Sequence, residues 1–281
     1  MYLTVHLALL QGVELFEKAS VGASRLTAEV LLAHAMRCDR SYLYAHSRDE
    51  LTQFAWIQYG RYLNERLQGK PTQYITHKQE FYGRNFYVDS NVLIPRPETE
   101  HLVEQSLRWL RERPSARVLD VGAGSGAIAV TLALETGMCV AGSDISFAAL
   151  KVAERNRRAH NAAVYFFAAD LLEAVSPFTI DLLISNPPYV PGADSANMQR
   201  EVRDWEPHVA LFAGETGLEI YRRLITGARQ VLKPGGRLFM ELGYRSLDAV
   251  REMLAAEWDD ITVTSDLAGL PRVIGATRPK R

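Results

Sequence analysis

From Pro97 to the carboxyl end, short apolar and β-branched runs alternate with longer amphipathic stretches. This rhythm constrains the fold more than any other feature of the chain. Strands are expected near residues 117–121, 138–143, 163–168, 180–185 and 236–241, with helices near 126–135, 146–159, 215–231 and 246–256 separating most of them. Such alternation builds an α/β domain, a parallel sheet with helices on both faces. Two further strands, near 260–264 and 272–277, bring the sheet to seven. The loop between them is too short to cross over a sheet, so they should pair antiparallel. Ahead of the first strand, Pro97 suits the first position of a helix and Glu98 and Glu100 favour its positive end. Leu102, Val103, Leu107 and Leu110 would form the buried stripe of that helix.

Upstream the pattern changes. Residues 1–72 read as a small helical domain. Ser24 is the expected cap of a helix carrying Leu26, Val30, Leu31 and Ala35. A later helix places Trp56, Tyr59, Leu63 and Leu67 three or four residues apart, and Gly69 and Pro71 stop it. Residues 73–95 read as a β-hairpin linker: the stretch 80–94 is aromatic and β-branched, with turn residues at Gly83 and at Asp89-Ser90-Asn91. The larger domain then runs over residues 96–281. There is no internal repeat and no low-complexity segment.

The bulk numbers remove several function classes. With 32 basic and 33 acidic residues the net charge is −1, which provides no global field to attract nucleic acid. Arg155, Arg157 and Arg158 cluster, as do Arg278, Lys280 and Arg281; a solvated helix face and a tail account for both. Cys38 and Cys139 form neither a zinc spacing nor a disulfide framework, and Cys139, in an apolar run, is expected in the core. The seven histidines show no metal spacing, so no metal is expected. The first ten residues lack a charged leader and a cleavage site, and no apolar run is long enough to span a bilayer. A cytoplasmic monomer is expected, with no membrane partner.

Two motifs carry chemistry. Gly122, Gly124 and Gly126 follow a strand and open a helix, with Ala123 and Ser125 between them, and such a loop lets backbone N–H groups approach a ligand closely. Asp144 ends the next strand, where a carboxylate can accept from ribose hydroxyls. A plain tight turn is the competing explanation of the loop. With Ala127 in the third place the loop also fits a dinucleotide site, so it does not by itself separate a nicotinamide cofactor from S-adenosylmethionine.

The second motif is Asn186-Pro187-Pro188-Tyr189, directly after the apolar strand 181–185. An amide nitrogen is a poor nucleophile because its lone pair is delocalised into the carbonyl. A site that methylates it must hold it in line with the methyl donor and stabilise positive charge growing on nitrogen. The Asn186 side-chain oxygen and the Pro187 main-chain carbonyl can accept the two N–H bonds. Pro187 and Pro188, with fixed φ, pre-organise the rim, and Tyr189 can pack on the substrate plane and border the methyl cation. Dipoles fixed in advance at a site of growing charge supply a large part of catalysis. A proline-rich turn is the bland alternative. It loses ground because ligands of open α/β sheets collect at the carboxyl ends of strands.

The context now points to a family. The sequence Val118-Leu119-Asp120-Val121-Gly122-Ala123-Gly124-Ser125-Gly126 resembles the first motif of the class I methyltransferases, a Rossmann-like fold. Leu232-Lys233-Pro234-Gly235-Gly236 is similar to a turn common before its fifth strand. Residues 81–100, which include Ile94-Pro95-Arg96-Pro97-Glu98-Thr99-Glu100, closely resemble the HemK family, the protein-(glutamine-N5) methyltransferases. Residues 26–32, Glu206-Pro207, Ala210-Leu211 and Gly217-Leu218 fit as well, so the match covers nearly the whole chain. The form of residues 96–100 looks like the branch acting on peptide chain release factors rather than the relatives acting on ribosomal protein uL3.

The resemblance implies S-adenosylmethionine as methyl donor and S-adenosylhomocysteine as product. It implies as substrate the glutamine of the Gly-Gly-Gln loop in class I release factors, with the helical domain as the docking module. Asp170 and Leu171 would frame the adenine. Leu171 stands where some relatives carry tryptophan, so only backbone or apolar contact is expected there. Arg96 and Thr99 would border the cofactor pocket. Adenine-N6 methyltransferases share Asn186–Tyr189, but they need a cationic groove that a near-neutral chain does not advertise.

Overall fold

The computed structural model describes residues 3–280, so the expectations for Met1, Tyr2 and Arg281 lie outside the described residues. The chain divides into two compact units.

The first unit comprises the residues up to Lys78 together with 199–205. Its helices are α1 (Val5–Lys18), α2 (Ser24–Met36), α3 (Arg40–Ala45), α4 (Gln53–Leu67) and α5 (Thr72–Thr76). Side-chain caps start three of them: Thr4 accepts from the Leu7 amide, Asp39 from Tyr42 and Thr52 from Ala55. Ser24 is not a cap. It is already the first residue of α2, and its hydroxyl donates to the Val21 carbonyl at 2.7 Å. Phe16, Leu31, Leu32, Tyr59 and Leu63 fill the core of this unit. Leu26 and Trp56, expected on the buried stripes, lie at 45% and 38% exposure, on the margins of their helix faces.

The second unit begins with β1 (Gln79–Phe81) and β2 (Arg84–Phe86), paired antiparallel. The hairpin is thus shorter than the sequence suggests. Residues 87–96 contain no strand, and the hairpin clusters with the larger unit instead of standing apart as a linker. A 3-10 turn, Pro97–Thr99, leads into α6 (Glu100–Leu110). Next come β3 (Val118–Val121), α7 (Ala127–Thr136), β4 (Val140–Asp144), α8 (Phe147–Ala159), β5 (Val164–Ala168) and β6 (Ile180–Ser185). A 3-10 stretch, Gly192–Asn197, precedes α9 (Arg200–Trp205), the segment that belongs with the first unit; Arg66 and Glu201 form an ion pair there at 2.6 Å. The chain closes with α10 (His208–Leu211), α11 (Glu219–Val231), β7 (Leu232–Glu241), α12 (Leu247–Ala255), β8 (Asp259–Ser265) and β9 (Pro271–Thr277).

The seven strands lie in the order β5-β4-β3-β6-β7-β9-β8. The first five are parallel, and β9 pairs antiparallel with both β7 and β8. Central strands β3 and β6 are buried on both faces, which is why they read as unbroken apolar runs. Leu102, Val103, Val130 and Leu132 cover one face; Tyr221, Leu224, Val250 and Trp258 cover the other. The turn at 232–236 is absorbed into β7 as a register irregularity opposite Ile180 and Leu182, with Gly235 at φ +80°. Cys139 is exposed: it precedes the first paired residue of β4 and lies outside the core the sequence suggested.

Candidate active site

Sheet register assembles the site. Val121 pairs with Ser143 on one side and with Ser185 on the other, and Ser185 pairs with Met240. The next residues along the four strands are Gly122, Asp144, Asn186 and Glu241. The order reverses at β3 and β6, since the chain runs outward through β4 and β5 before returning to β6. Such a reversal opens a crevice at the carboxyl ends of the strands.

The glycine loop is tied to its neighbour. The Gly122 and Ala123 amides donate to the Ser143 carbonyl at 2.8 and 2.9 Å, and the Gly124 amide donates to Asp144 Oδ2 at 2.8 Å. Ser146 N–H donates to Asp144 Oδ1 at 2.8 Å, while the Ser146 hydroxyl caps α8. Burial raises the Asp144 carboxyl above its usual range, and these backbone donors oppose the rise. Gly126 needs to be glycine: its φ is +79°, and a Cβ would stand 2.9 Å from the Phe166 ring. At Gly122, also at positive φ, a Cβ would project into open space.

A cleft lies over this loop. Arg96, Thr99, Gly122, Ala123, Gly124, Ser125, Asp144, Asp170, Leu171, Asn186 and Pro188 line it. Gly126, Pro187 and Tyr189 do not. Gly126 turns into α7, Pro187 is buried, and Tyr189 packs its ring on Gly243, where an added Cβ would fall 2.5 Å from the ring. Burial pushes the Tyr189 phenol up to about 12, and the charge of Glu241 acts in the same direction. The carboxylate of Asp170 takes an ion pair from Arg223 at 2.8 Å, and Leu171 sits at φ +50°. The apolar wall, which includes Phe81, Val92, Ile128, Ile145 and Val209, was not legible from motifs.

Three hydrogen-bonded groups hold the rim. Asn186 Nδ2 donates to Thr99 Oγ1 at 3.1 Å, and Thr99 Oγ1 donates to Glu241 Oε2 at 2.6 Å. Arg96 pairs with the buried carboxylate of Glu206, which also accepts the Ile94 amide at 3.2 Å. Asn156, buried on α8, accepts the Tyr87 amide at 2.7 Å and donates to the carbonyls of Tyr87 and Ser125 at 2.9 Å each. Glu241 and Asn156 were not legible as site residues, because each acts across a long sequence separation. Asp120 gave a signal that could have been read: a lone carboxylate inside a buried strand. It is fully buried, accepts only the Ala129 amide at 3.2 Å, and leaves Oδ1 without a partner. Burial pushes it up to about 7.

Among the described residues no cluster of His, Cys, Asp or Glu could hold a metal, and no helix is long and apolar enough to cross a membrane. Four arginines of the basic clusters are engaged, and Arg281 lies outside the described residues. Arg157 and Arg158 pair with Glu154, Arg155 covers the Tyr87 ring, and Arg278 covers Phe178.

A parallel sheet with a reversed terminal hairpin, a glycine loop after β3 and a polar rim after β6 define the class I methyltransferase fold. A crystal structure of a methyltransferase from Pyrococcus furiosus shares it, with a TM-score of 0.52 and 15% identity over 71% of this chain and 91% of that one. Residues 8–76 match the PrmC N-terminal domain and residues 100–203 the methyltransferase small domain. The release factor glutamine methyltransferase of Koribacter versatilis is 45% identical over 94% of both chains. That of Chlorobaculum tepidum is 41% identical over 92% of this chain and 91% of its own. The chain belongs to the release factor glutamine methyltransferase family.

Proposed function

We propose that this protein transfers a methyl group from S-adenosylmethionine to the side-chain amide nitrogen of the glutamine in the Gly-Gly-Gln loop of class I peptide chain release factors. The products are N5-methylglutamine and S-adenosylhomocysteine. The observation that carries the reading is the register that sets Asn186 beside the glycine loop, with its NH2 group committed to Thr99.

The residues present fit the methyl donor. Apolar walls suit an adenine face, the carboxylate of Asp144 suits ribose hydroxyls, and the space over Gly122 admits close approach of a ligand to backbone. Gly122, Ala123, Gly124, Ser125 and Asp144 would hold it, with Asp170, Leu171, Arg96 and Thr99 around the rim. When bound, it supplies a methyl group on a sulfonium; the N–CH3 bond forms as the S–CH3 bond breaks. Asn186 Oδ1 accepts one N–H bond of the substrate amide, orienting its lone pair and stabilising the charge that develops, whereas Pro187, expected as the second acceptor, lies buried behind the cleft lining. Pro188 shapes the rim from within the cleft. Tyr189 acts from behind the rim, through its packing on Gly243. The methylated nitrogen is strongly acidic and loses its proton to water.

The first unit serves as the docking module for the release factor. Tyr44, Phe54 and Ile57 are exposed there, apolar side chains of the kind a protein partner covers. A net charge of −1 favours a protein acceptor over nucleic acid, and we take the enzyme to act as a cytoplasmic monomer. The test is transfer of labelled methyl groups to a release factor, its Gln→Ala variant, ribosomal protein uL3 and DNA. Label on the first acceptor alone is expected; label on DNA but not on the release factor would overturn the proposal.

A further inference from the structure

The amide of Asn186 could sit either way round in its cleft, and only one way presents an acceptor to a substrate NH2 group. Its neighbours choose. Thr99 Oγ1 has a single proton and lies 2.6 Å from Glu241 Oε2. An ionised carboxylate only accepts, so that proton goes to Glu241. Thr99 must then accept from Asn186, and the Nδ2 donor at 3.1 Å fills that place. The Asn186 oxygen is left on the opposite edge of the amide, and Asn186 is one of the residues that line the cleft. Glu241 itself does not line the cleft; it is buried at the end of β7, beside Asn186 in the strand register.

We propose that Glu241 is a positioning residue, which acts on Asn186 through the Thr99 hydroxyl and by direct contact, to fix its side-chain amide with the oxygen toward the substrate. This rests on the reading of Asn186 as the acceptor for the glutamine amide. The relay has a direction that a proton on Glu241 reverses. A carboxylic acid donates to Thr99, Thr99 donates onward, and Asn186 must turn its oxygen away from the cleft to accept. The NH2 groups of Asn186 and substrate would then face each other.

The surroundings keep this reversal within reach. Burial pushes the Glu241 carboxyl up to about 7; hydrogen bonds from Thr99 and Asn186 oppose the rise. The charged and titratable groups facing it are Glu98 on the 3-10 turn, which raises it, and Arg272 on β9, which lowers it. Glu98 and Arg272 pair with each other at 3.7 Å. The phenols of Tyr189 and Tyr221 also lie near; Tyr221 donates to the Glu241 main-chain carbonyl at 2.8 Å. Turnover should therefore rise with pH as Glu241 ionises in the folded enzyme.

The experiment compares the full-length enzyme with its Glu241→Gln, Thr99→Val, Thr99→Ser and Asn186→Ala variants. It measures kcat and KM for a release factor from pH 6 to 9, with the affinity for S-adenosylmethionine measured by calorimetry. Glutamine at 241 can donate or accept and no longer chooses, so kcat should fall by about tenfold at high pH and lose its acidic limb. Cofactor affinity should stay within about twofold, because Glu241 is outside the cleft. Thr99→Val should lower kcat across the whole range, and Thr99→Ser should restore it together with the pH limb. If Glu241→Gln fails to fold, the two Thr99 variants give the answer alone. Wild-type kcat and pH profile in Glu241→Gln, or in Thr99→Val, overturn the relay while leaving the Asn186 reading intact if Asn186→Ala is inactive. Normal turnover in Asn186→Ala removes that reading itself.

Discussion

The amide of Gly124 donates to the carboxylate of Asp144 at 2.8 Å, so the loop after β3 and the end of β4 form one piece. Each Asp144 oxygen takes one backbone N–H and keeps acceptor capacity for ribose hydroxyls. Asp144→Ala should weaken S-adenosylmethionine binding on the order of tenfold or more. Calorimetry checks this, and unchanged affinity would refute the ribose role.

Asp120 links burial to pH. Its folded carboxyl sits at about 7 against an ordinary value of 3.8, because burial disfavours the charge. Between those two values the unfolded chain is ionised there while the folded one holds a proton. The folded state binds more protons, so this group's contribution to stability falls as pH rises from about 4 to about 7. Asp120→Asn carries no such penalty. Its stability relative to the parent should climb through that window by roughly 1–3 kcal/mol and level off above it. Urea melts at a series of pH values test the trend; a constant difference would show that Asp120 is ionised in both states.

Asn156 ties α8 to both the post-hairpin segment and the glycine loop through three hydrogen bonds. Asn156→Ala strands a buried carbonyl at Ser125 and half-buried backbone groups at Tyr87 and should cost about 2–4 kcal/mol of stability. A parent-like denaturation midpoint would contradict that assignment.

Most of the second unit was legible because parallel strands buried on both faces write themselves as apolar runs, and glycine and proline punctuate them. All seven strands of the sheet overlap the positions the pattern gives them, although β7 begins at Leu232 and takes in the expected turn. The misses share one physical cause. Cys139 reads as core, but its exposure depends on where β4 begins to pair. The segment 87–96 has strand composition, yet its backbone is held by Asn156 and Glu206, distant residues that offer an alternative to a ladder. The assignment of Arg200–Trp205 to the first unit is likewise a long-range outcome that local periodicity does not encode. At the site, the loop and Asn186 were visible as motifs. The Thr99–Glu241 hydrogen bond was not, since it joins residues 142 positions apart. Tyr189, expected to face substrate, instead packs on Gly243, whose missing side chain makes room for its ring.

The most direct measurement locates the methyl group. A release factor is incubated with S-adenosylmethionine and either the parent enzyme or Asn186→Ala, and the modified peptide is sequenced by fragment-ion mass spectrometry. One methyl is expected on the amide nitrogen of the Gly-Gly-Gln glutamine with the parent enzyme and, with the variant, a rate lower by about a hundredfold or more. Methylation at another residue, or undiminished modification by Asn186→Ala, would contradict this expectation.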